Sequence, residues 1–266
     1  MTGLSRRVGD VPVLECLPAG APARGLVIWI PPLGGDKERY TDRLEELARR
    51  GFLAVGIDPR RHGERADRPA DALFDQVMTS FRATMWPILG GTVLDAAEVI
   101  DAELAIHGLG GPVLAGGVSM GGDIAVALAG IDPRVSRVAA VAATPDWTRP
   151  GMTRIGRPDD VIDQGRATTG GQWLRDHLEP LTHTDRYRRD LAIRLDVGAA
   201  DTHVPGEAAH RFATMLSRGP RRPSIDVIDH PGSDHRQMCH DPQVLTAALS
   251  WLVGPSRSGR TAATRA

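Results

Sequence analysis

The sequence predicts an α/β protein with a mostly parallel central sheet and helices on both faces. Three observations predict it. Short apolar runs of strand length recur, most of them closed by glycine or proline. Between them lie segments whose apolar residues repeat at helical spacing, so that each strand is returned to the same end of the sheet by a crossover helix. A chain of 266 residues with 41% hydrophobic content can also bury one sizeable core.

Val11 to Leu17 reads as a first strand and Gly25 to Ile30 as a buried one ended by Pro31-Pro32. Arg39 to Arg50 carries Leu44, Leu47 and Ala48 at helical spacing and stops at Gly51, after which Phe52 to Ile57 is another buried strand. Asp58 to Pro69 is expected as loop. Ala70 to Leu89 is apolar without a clear period, whereas Thr92 to His107 is a helix with Val93, Ala96, Ala97, Ile100 and Leu104 on one face. Pro112 to Ala115 is strand-like, Ile124 to Ala129 helix-like, and Val135 to Ala142 a further buried strand. Ala143 to Asp190, rich in Arg, Asp, Trp and Gly, breaks the alternation and is expected as a cap-like insertion. The pattern resumes with a strand at Ile193 to Val197, a helix at Glu207 to Ser217, a strand at Ser224 to Ile228 and a closing helix at Pro242 to Val253. The expectation is one domain over 1–253 and a disordered tail over 254–266.

Composition removes several function classes. A formal charge of −1 and a pI near 6.8 provide no basic field for nucleic acid or anionic lipid, so small-molecule partners are expected. Lys37 is the sole lysine and no phosphate-loop motif surrounds it, which argues against phosphate-loop and Schiff-base chemistry. Cys16 and Cys239 lie far apart, which fits a reducing cytoplasm, and the polar opening from Met1 to Asp10 is followed by no apolar stretch of signal or membrane-spanning length. His177, His183 and His210 show no compact ligand spacing, so no metal is expected, and no cofactor is required. Oligomeric state is not fixed by the sequence.

The chemistry is carried by strand ends. Gly117-Val118-Ser119-Met120-Gly121-Gly122 sits between a strand-like and a helix-like run, where a serine is held in a strained turn with its hydroxyl exposed and small neighbours prevent a clash. A serine hydroxyl is a weak nucleophile near neutral pH, so Ser119 needs an imidazole to take its proton and a carboxylate to hold that imidazole. Asp201 follows the next strand, within Gly198-Ala199-Ala200-Asp201-Thr202-His203-Val204-Pro205. His230 and His235 follow the one after, within His230-Pro231-Gly232-Ser233-Asp234-His235, so a Ser, Asp, His set appears in that chain order. Asp201 also suits the start of the next helix. No role falls to Asp234, and His203, which adjoins the candidate acid, has two readings: it borders the pocket or, as a lone histidine at a helix start more often is, it is a surface residue. The oxyanion hole needs two backbone N–H groups, one usually from the residue after the nucleophile, here Met120.

Over residues 25 to 253 the chain resembles the α/β-hydrolase superfamily, and within it the dienelactone-hydrolase-like esterases. The nucleophile elbow matches at Gly117 to Gly121, the acid-bearing GxxDxxVP segment at Gly198 to Pro205, and the histidine loop at Gly232 to His235, which selects His235. The segment Asp58 to Arg65 is also similar and is structural in the family. The resemblance implies Leu33 as the second oxyanion donor, although Pro31-Pro32 stands where the family has His-Gly. It implies a serine hydrolase that cleaves a small or medium carboxylic ester, the partner being an ester or thioester.

Met78, Phe81, Met85, Trp86, Trp147 and Trp173 flank the expected site mouth, and Trp86, Trp147 and Trp173 are the expected substrate contacts. Arg149, Arg154, Arg157 and Arg166 are candidates for binding a substrate carboxylate. Two other readings stay open: an acyltransferase, thioesterase or lactone-forming cyclase, suggested by the long insertion, and a non-catalytic ligand-binding protein, suggested by Pro31-Pro32.

Overall fold

The structure, a computed structural model, describes residues 3–255. From residue 256 on, the expected disordered tail lies outside the described residues. In chain order the elements are β1 (Leu4–Val8), β2 (Val11–Cys16), β3 (Leu26–Ile30), α1 (Thr41–Arg49), β4 (Leu53–Ile57), α2 (Ala70–Thr79), α3 (Phe81–His107), β5 (Val113–Val118), α4 (Met120–Ile131), β6 (Val135–Val141), β7 (Thr153–Arg154), β8 (Arg157–Val161), α5 (Thr169–Leu178), β9 (Ala192–Gly198), α6 (Glu207–Leu216), β10 (Ser224–His230), α7 (His235–His240) and α8 (Pro242–Leu252).

Eight strands form one sheet in the order β1-β2-β4-β3-β5-β6-β9-β10, with β7 and β8 a separate ribbon. Pairing is parallel from β4 through β10 and antiparallel at β1/β2 and β2/β4. The inner strands are apolar on both faces because helices cover both. In β3, Leu26, Ile28 and Ile30 enter one core layer with α2, α3, α4 and α6, while Val27 and Trp29 enter the other with α1 and α8. That period of two lets five consecutive apolar residues serve two cores.

Two elements depart from the sequence expectation. Residues 4–8 form an edge strand whose side chains are mostly exposed, so burial leaves no hydrophobic pattern there and only pairing to β2 reveals it. The segment 70–89 contains α2 and the first two turns of α3, a helix of 27 residues that includes Pro87 and the Gly90-Gly91 pair. Those residues read as helix breakers. At Gly90 a β-carbon would lie 2.6 Å from the Leu174 Cβ of α5, so the glycine is required by close helix packing. Between the core and α5, residues 81–93 of α3 have no exposed face, which removes the one-sided pattern of a surface helix there.

Asp58, at the end of β4, accepts from Lys37 N at 2.8 Å, Lys37 Nζ at 3.2 Å and Glu64 N at 2.9 Å. The Asp58 to Arg65 segment is thereby pinned beside β4. The segment 143–190 contributes the β7/β8 ribbon, α5 and two short 3-10 turns, with α5 packed on α3. Among the described residues no helix is long and apolar enough to cross a membrane.

Candidate active site

At the carboxyl end of β5 the chain reverses at Ser119 and enters α4. Ser119 has φ 51° and ψ −119°, a region that costs a residue with a side chain about 1–3 kcal/mol. Its glycine neighbours make the turn feasible. A β-carbon at Gly121 would lie 2.0 Å from the Ile30 carbonyl oxygen and one at Gly117 would lie 2.4 Å from the Gly121 carbonyl carbon. The turn is therefore pressed against the end of β3 and the start of its following loop. Ser119 N donates to the Val141 carbonyl at 2.8 Å, and Asp123 N to the Ser119 carbonyl at 3.0 Å, so both sides of the strained residue are held.

The Ser119 hydroxyl lies 3.0 Å from Nε2 of His235, and Nδ1 of that ring lies 2.7 Å from Oδ2 of Asp201. All three residues are buried. The other Asp201 oxygen accepts from His203 N at 2.9 Å and Val204 N at 2.7 Å. One carboxylate thus fixes its own loop and the imidazole together, and the capping and orienting readings coexist. His235 opens α7, whose N-cap is Asp234 in a reciprocal capping box with Gln237. Asp234 starts the helix that fixes His235.

Burial alone would push His235 down. The Asp201 carboxylate overrides it, with a further contribution from Cys239, and the imidazole is held at about 9. Cys239 lies one turn along α7 with Sγ 3.6 Å from His235 Nε2. His230 is elsewhere, 2.9 Å from Asp196 in β9, and His240 bonds its own helix at Arg236.

His203 corrects its sequence expectation, for it is buried rather than on the surface. Its Nδ1 lies 2.8 Å from the Thr153 carbonyl and so carries the proton, and its ring packs edge-on to His235 with centroids 4.9 Å apart. Burial, then the charges of His235 and Arg149, push it down to about 3, so it is a neutral imidazole beside His235. Arg149 is also corrected. It is buried in an ion pair with Asp123, on the first turn of α4, and stacks over Phe81. A buried guanidinium must be paired to offset desolvation, and Asp123 supplies that partner. Arg154 pairs with Asp160 on the ribbon at 3.2 Å.

Met120 opens α4, where first-turn N–H groups have no intrahelical acceptor. Leu33 is half-buried in the loop after β3, which touches the elbow at Ile30 and Pro31. The tryptophans are placed differently from the expected substrate contacts. Trp147 is fully buried and Trp86 nearly so, with the Trp86 indole N–H donating to the Trp147 carbonyl at 2.9 Å, so both belong to the core. Trp173 is exposed on α5 and stacks on His177. Their spacing in sequence carried no information about which of them would be buried.

A cavity of about 300 Å³ lies beside the acid loop, between Asp146, Arg149, Pro205 and Arg211. One of about 610 Å³ opens at the other end of the sheet near Arg137 and Trp251, and Ser119, Asp201 and His235 are in the wall of neither. Ligands of parallel α/β sheets bind beyond the carboxyl ends of the strands, the end at which the smaller cavity lies.

A doubly covered sheet with a strained strand-to-helix serine turn, and an acid and a histidine on later strand ends, defines a class. The chain belongs to the α/β-hydrolase family, matching the alpha/beta hydrolase fold over residues 25–221. It is similar to TT1662 from Thermus thermophilus, with 21% identity over 96% of this chain and 100% of that one and a TM-score of 0.70. It is similar also to a Klebsiella pneumoniae protein assigned as a dienelactone hydrolase (15% identity, 94% and 97% covered, TM-score 0.65). A third likeness is to the Paleococcus ferrophilus monoacylglycerol lipase (21% identity, 92% and 98% covered, TM-score 0.59). At these identities the likeness is one of fold. The search of curated proteins returned no match.

Proposed function

We propose that the protein is a serine hydrolase that cleaves a small or medium carboxylic ester through an acyl-enzyme on Ser119. The observation that carries the reading is the continuous relay from Ser119 Oγ to His235 Nε2 at 3.0 Å and from His235 Nδ1 to Asp201 Oδ2 at 2.7 Å. His235 takes the serine proton as Oγ attacks the ester carbonyl, then delivers it to the departing alkoxide. Asp201 keeps the proton on Nδ1 and stabilises the imidazolium formed at each step. The Met120 N–H, with the Leu33 N–H as second donor, binds the oxygen that becomes negative in the tetrahedral intermediate. Water then attacks the acyl carbonyl as His235 takes its proton, and the Ser119 Oγ–acyl bond breaks as His235 returns that proton to Oγ and the acid is released.

The test is turnover of a chromogenic acyl ester by wild type and Ser119→Ala. Loss of the nucleophile should lower kcat by roughly 10⁴-fold or more with the fold intact by circular dichroism. Activity of the variant within tenfold of wild type would overturn the assignment. Stoichiometric labelling of wild type by a fluorophosphonate separates a catalyst from an inert binding protein.

One observation favours a second reading. Ser119 is 7% exposed, and residues 143–190, which we propose act as a cap, bond across the acid loop through Thr153 to Thr202 and His203. A sheltered acyl-enzyme suits transfer to an alcohol, amine or thiol as well as hydrolysis. Products formed with competing acceptors distinguish the two, and free acid as the only product with every acceptor leaves hydrolysis.

A further inference from the structure

At the end of the sheet opposite Ser119, the β1–β2 hairpin meets the last turns of α3 through four charged or titratable side chains. Glu15 of β2 and Glu103 of α3 are 1% and 0% exposed, an unusual burial for two adjacent carboxylates. Arg6 of β1 bonds Oε1 of both, through Nε to Glu15 and through Nη2 to Glu103 at 2.6 Å. The two Oε2 atoms turn the other way. His107 Nε2 lies 3.1 Å from Glu15 Oε2 and 3.4 Å from Glu103 Oε2, and the three atoms all lie within 4.8 Å of one another. Glu103 Oε2 is fully buried and has no hydrogen-bond partner.

We propose that Glu15, Glu103 and His107 form a site for a divalent transition-metal ion of the zinc class, which clips the β1–β2 hairpin to the C-terminal end of α3. Around zinc, with bonds of about 2.0–2.2 Å and tetrahedral angles, ligand atoms stand roughly 3.3–3.6 Å apart. The two separations from His107 Nε2 already have nearly that length. Glu103 and His107 are one helical turn apart on the same face, and Glu15 is presented by a strand packed beneath it, so the donors come from two rigid elements. Arg6 holds the outer oxygens and orients both carboxylates, as outer partners of metal ligands do. His107 is the half-exposed member, which leaves a route for the ion and room for a water as fourth ligand. One imidazole with two carboxylates selects zinc over calcium or magnesium, which take six or more oxygens. The sequence does not advertise the site, because Glu15 stands 88 residues before Glu103 and His107 reads as the end of an amphipathic helix.

The competing occupant is a proton, with His107 as an imidazolium between the two carboxylates. Chelator-stripped full-length protein titrated with Zn²⁺ against a chromogenic zinc indicator at about pH 7.5 decides between them. The expected result is one equivalent of Zn²⁺ per chain and a rise in unfolding temperature on binding. His107→Gln should weaken binding beyond the roughly 10–100-fold that loss of an outer partner costs, and should keep ester turnover because the site is remote from Ser119. Glu103→Gln should lose binding likewise. No binding above the indicator background in wild type, or equal binding by wild type and His107→Gln, overturns the proposal. Because the readout is metal stoichiometry, the result is independent of whether the ester-hydrolase reading holds.

Discussion

At the ends of β5, β9 and β10 each functional side chain is held by its own neighbours in sequence, whereas residues 143–190 are held by partners elsewhere in the chain. Ser119 is fixed by Gly117 and Gly121, Asp201 by the N–H groups of His203 and Val204, and His235 by the Asp234–Gln237 capping box. In residues 143–190, Arg149 reaches Asp123, Asp146 reaches Arg211 at 2.6 Å, and Thr153 reaches Thr202 and His203. Short-range devices set angles and long-range anchors set placement. Two of those anchors end near the Ser119–His235–Asp201 hydrogen bonds, since Asp123 lies four residues past Ser119 and His203 two past Asp201. Local substitutions should therefore strike chemistry, and anchor substitutions should strike stability and access.

The largest effect tests the local half. Asp201→Asn keeps an oxygen for the His203 and Val204 N–H groups but removes the charge that holds His235, so kcat on an activated ester should fall by about 10³–10⁴-fold with little loss of stability. Retention within tenfold would mean that His235 is oriented by something else. The anchor half is struck by Arg149→Met, which leaves Asp123 charged and buried without its partner. Breaking a buried pair on one side costs about 3–5 kcal/mol, measurable as a lower midpoint in urea denaturation. If stability is unchanged while kcat collapses, Arg149 belongs to the chemistry and the division fails.

A smaller effect comes from His203, which joins the two halves. Its folded-state pKa is depressed to about 3 against an ordinary value of 6.5. The unfolded chain binds the extra proton between those values, so this contribution to stability is complete above about pH 6.5 and is lost as pH falls toward 3. His203→Asn should be less stable at neutral pH yet lose less on acidification, as urea midpoints at about pH 7 and pH 4.5 would show. Equal acid sensitivity in both proteins would exclude His203 as the group responsible.

The same contrast explains what was legible in the sequence. The buried strands were visible because five-residue apolar runs closed by glycine or proline have few other readings, and Ser119 and Asp201 drew attention because each follows a strand-like run, whereas His235 was selected over His230 by the resemblance of its loop. Arg149, His203 and Cys239 were not. Nothing near Arg149 in sequence announces Asp123 as its partner, and His203 reads as a surface histidine until β7 is folded over it. Residues 70–89 hid two helices for a related reason, since the glycine at position 90 answers to Leu174, more than eighty residues away. Signals confined to one element survive in the sequence, while signals that arise between elements need the fold.

Cys239 provides the finest test, because it is a local neighbour of His235 one turn along α7. Its Sγ is 3.6 Å from the His235 nitrogen that also faces Ser119, and it helps Asp201 hold the imidazole up at about 9 against the opposing pull of burial. His235 must be neutral to act as base, so kcat/KM should climb as pH rises toward 9. Stability runs the other way. The raised folded-state value means that the Asp201–His235 pair contributes fully below the ordinary histidine value of about 6.5, and the contribution is lost as pH rises through about 9. Cys239→Ala removes one of the two groups that raise His235, so the rising limb of the activity profile should move to lower pH and the loss of stability should be complete at lower pH with it. The maximal rate above both limbs should stay within a few-fold of wild type, because the relay itself is untouched. A fall in the maximal rate without movement of the limb would place Cys239 in the reaction, and movement of one limb without the other would separate the group that titrates in catalysis from the one that titrates in folding.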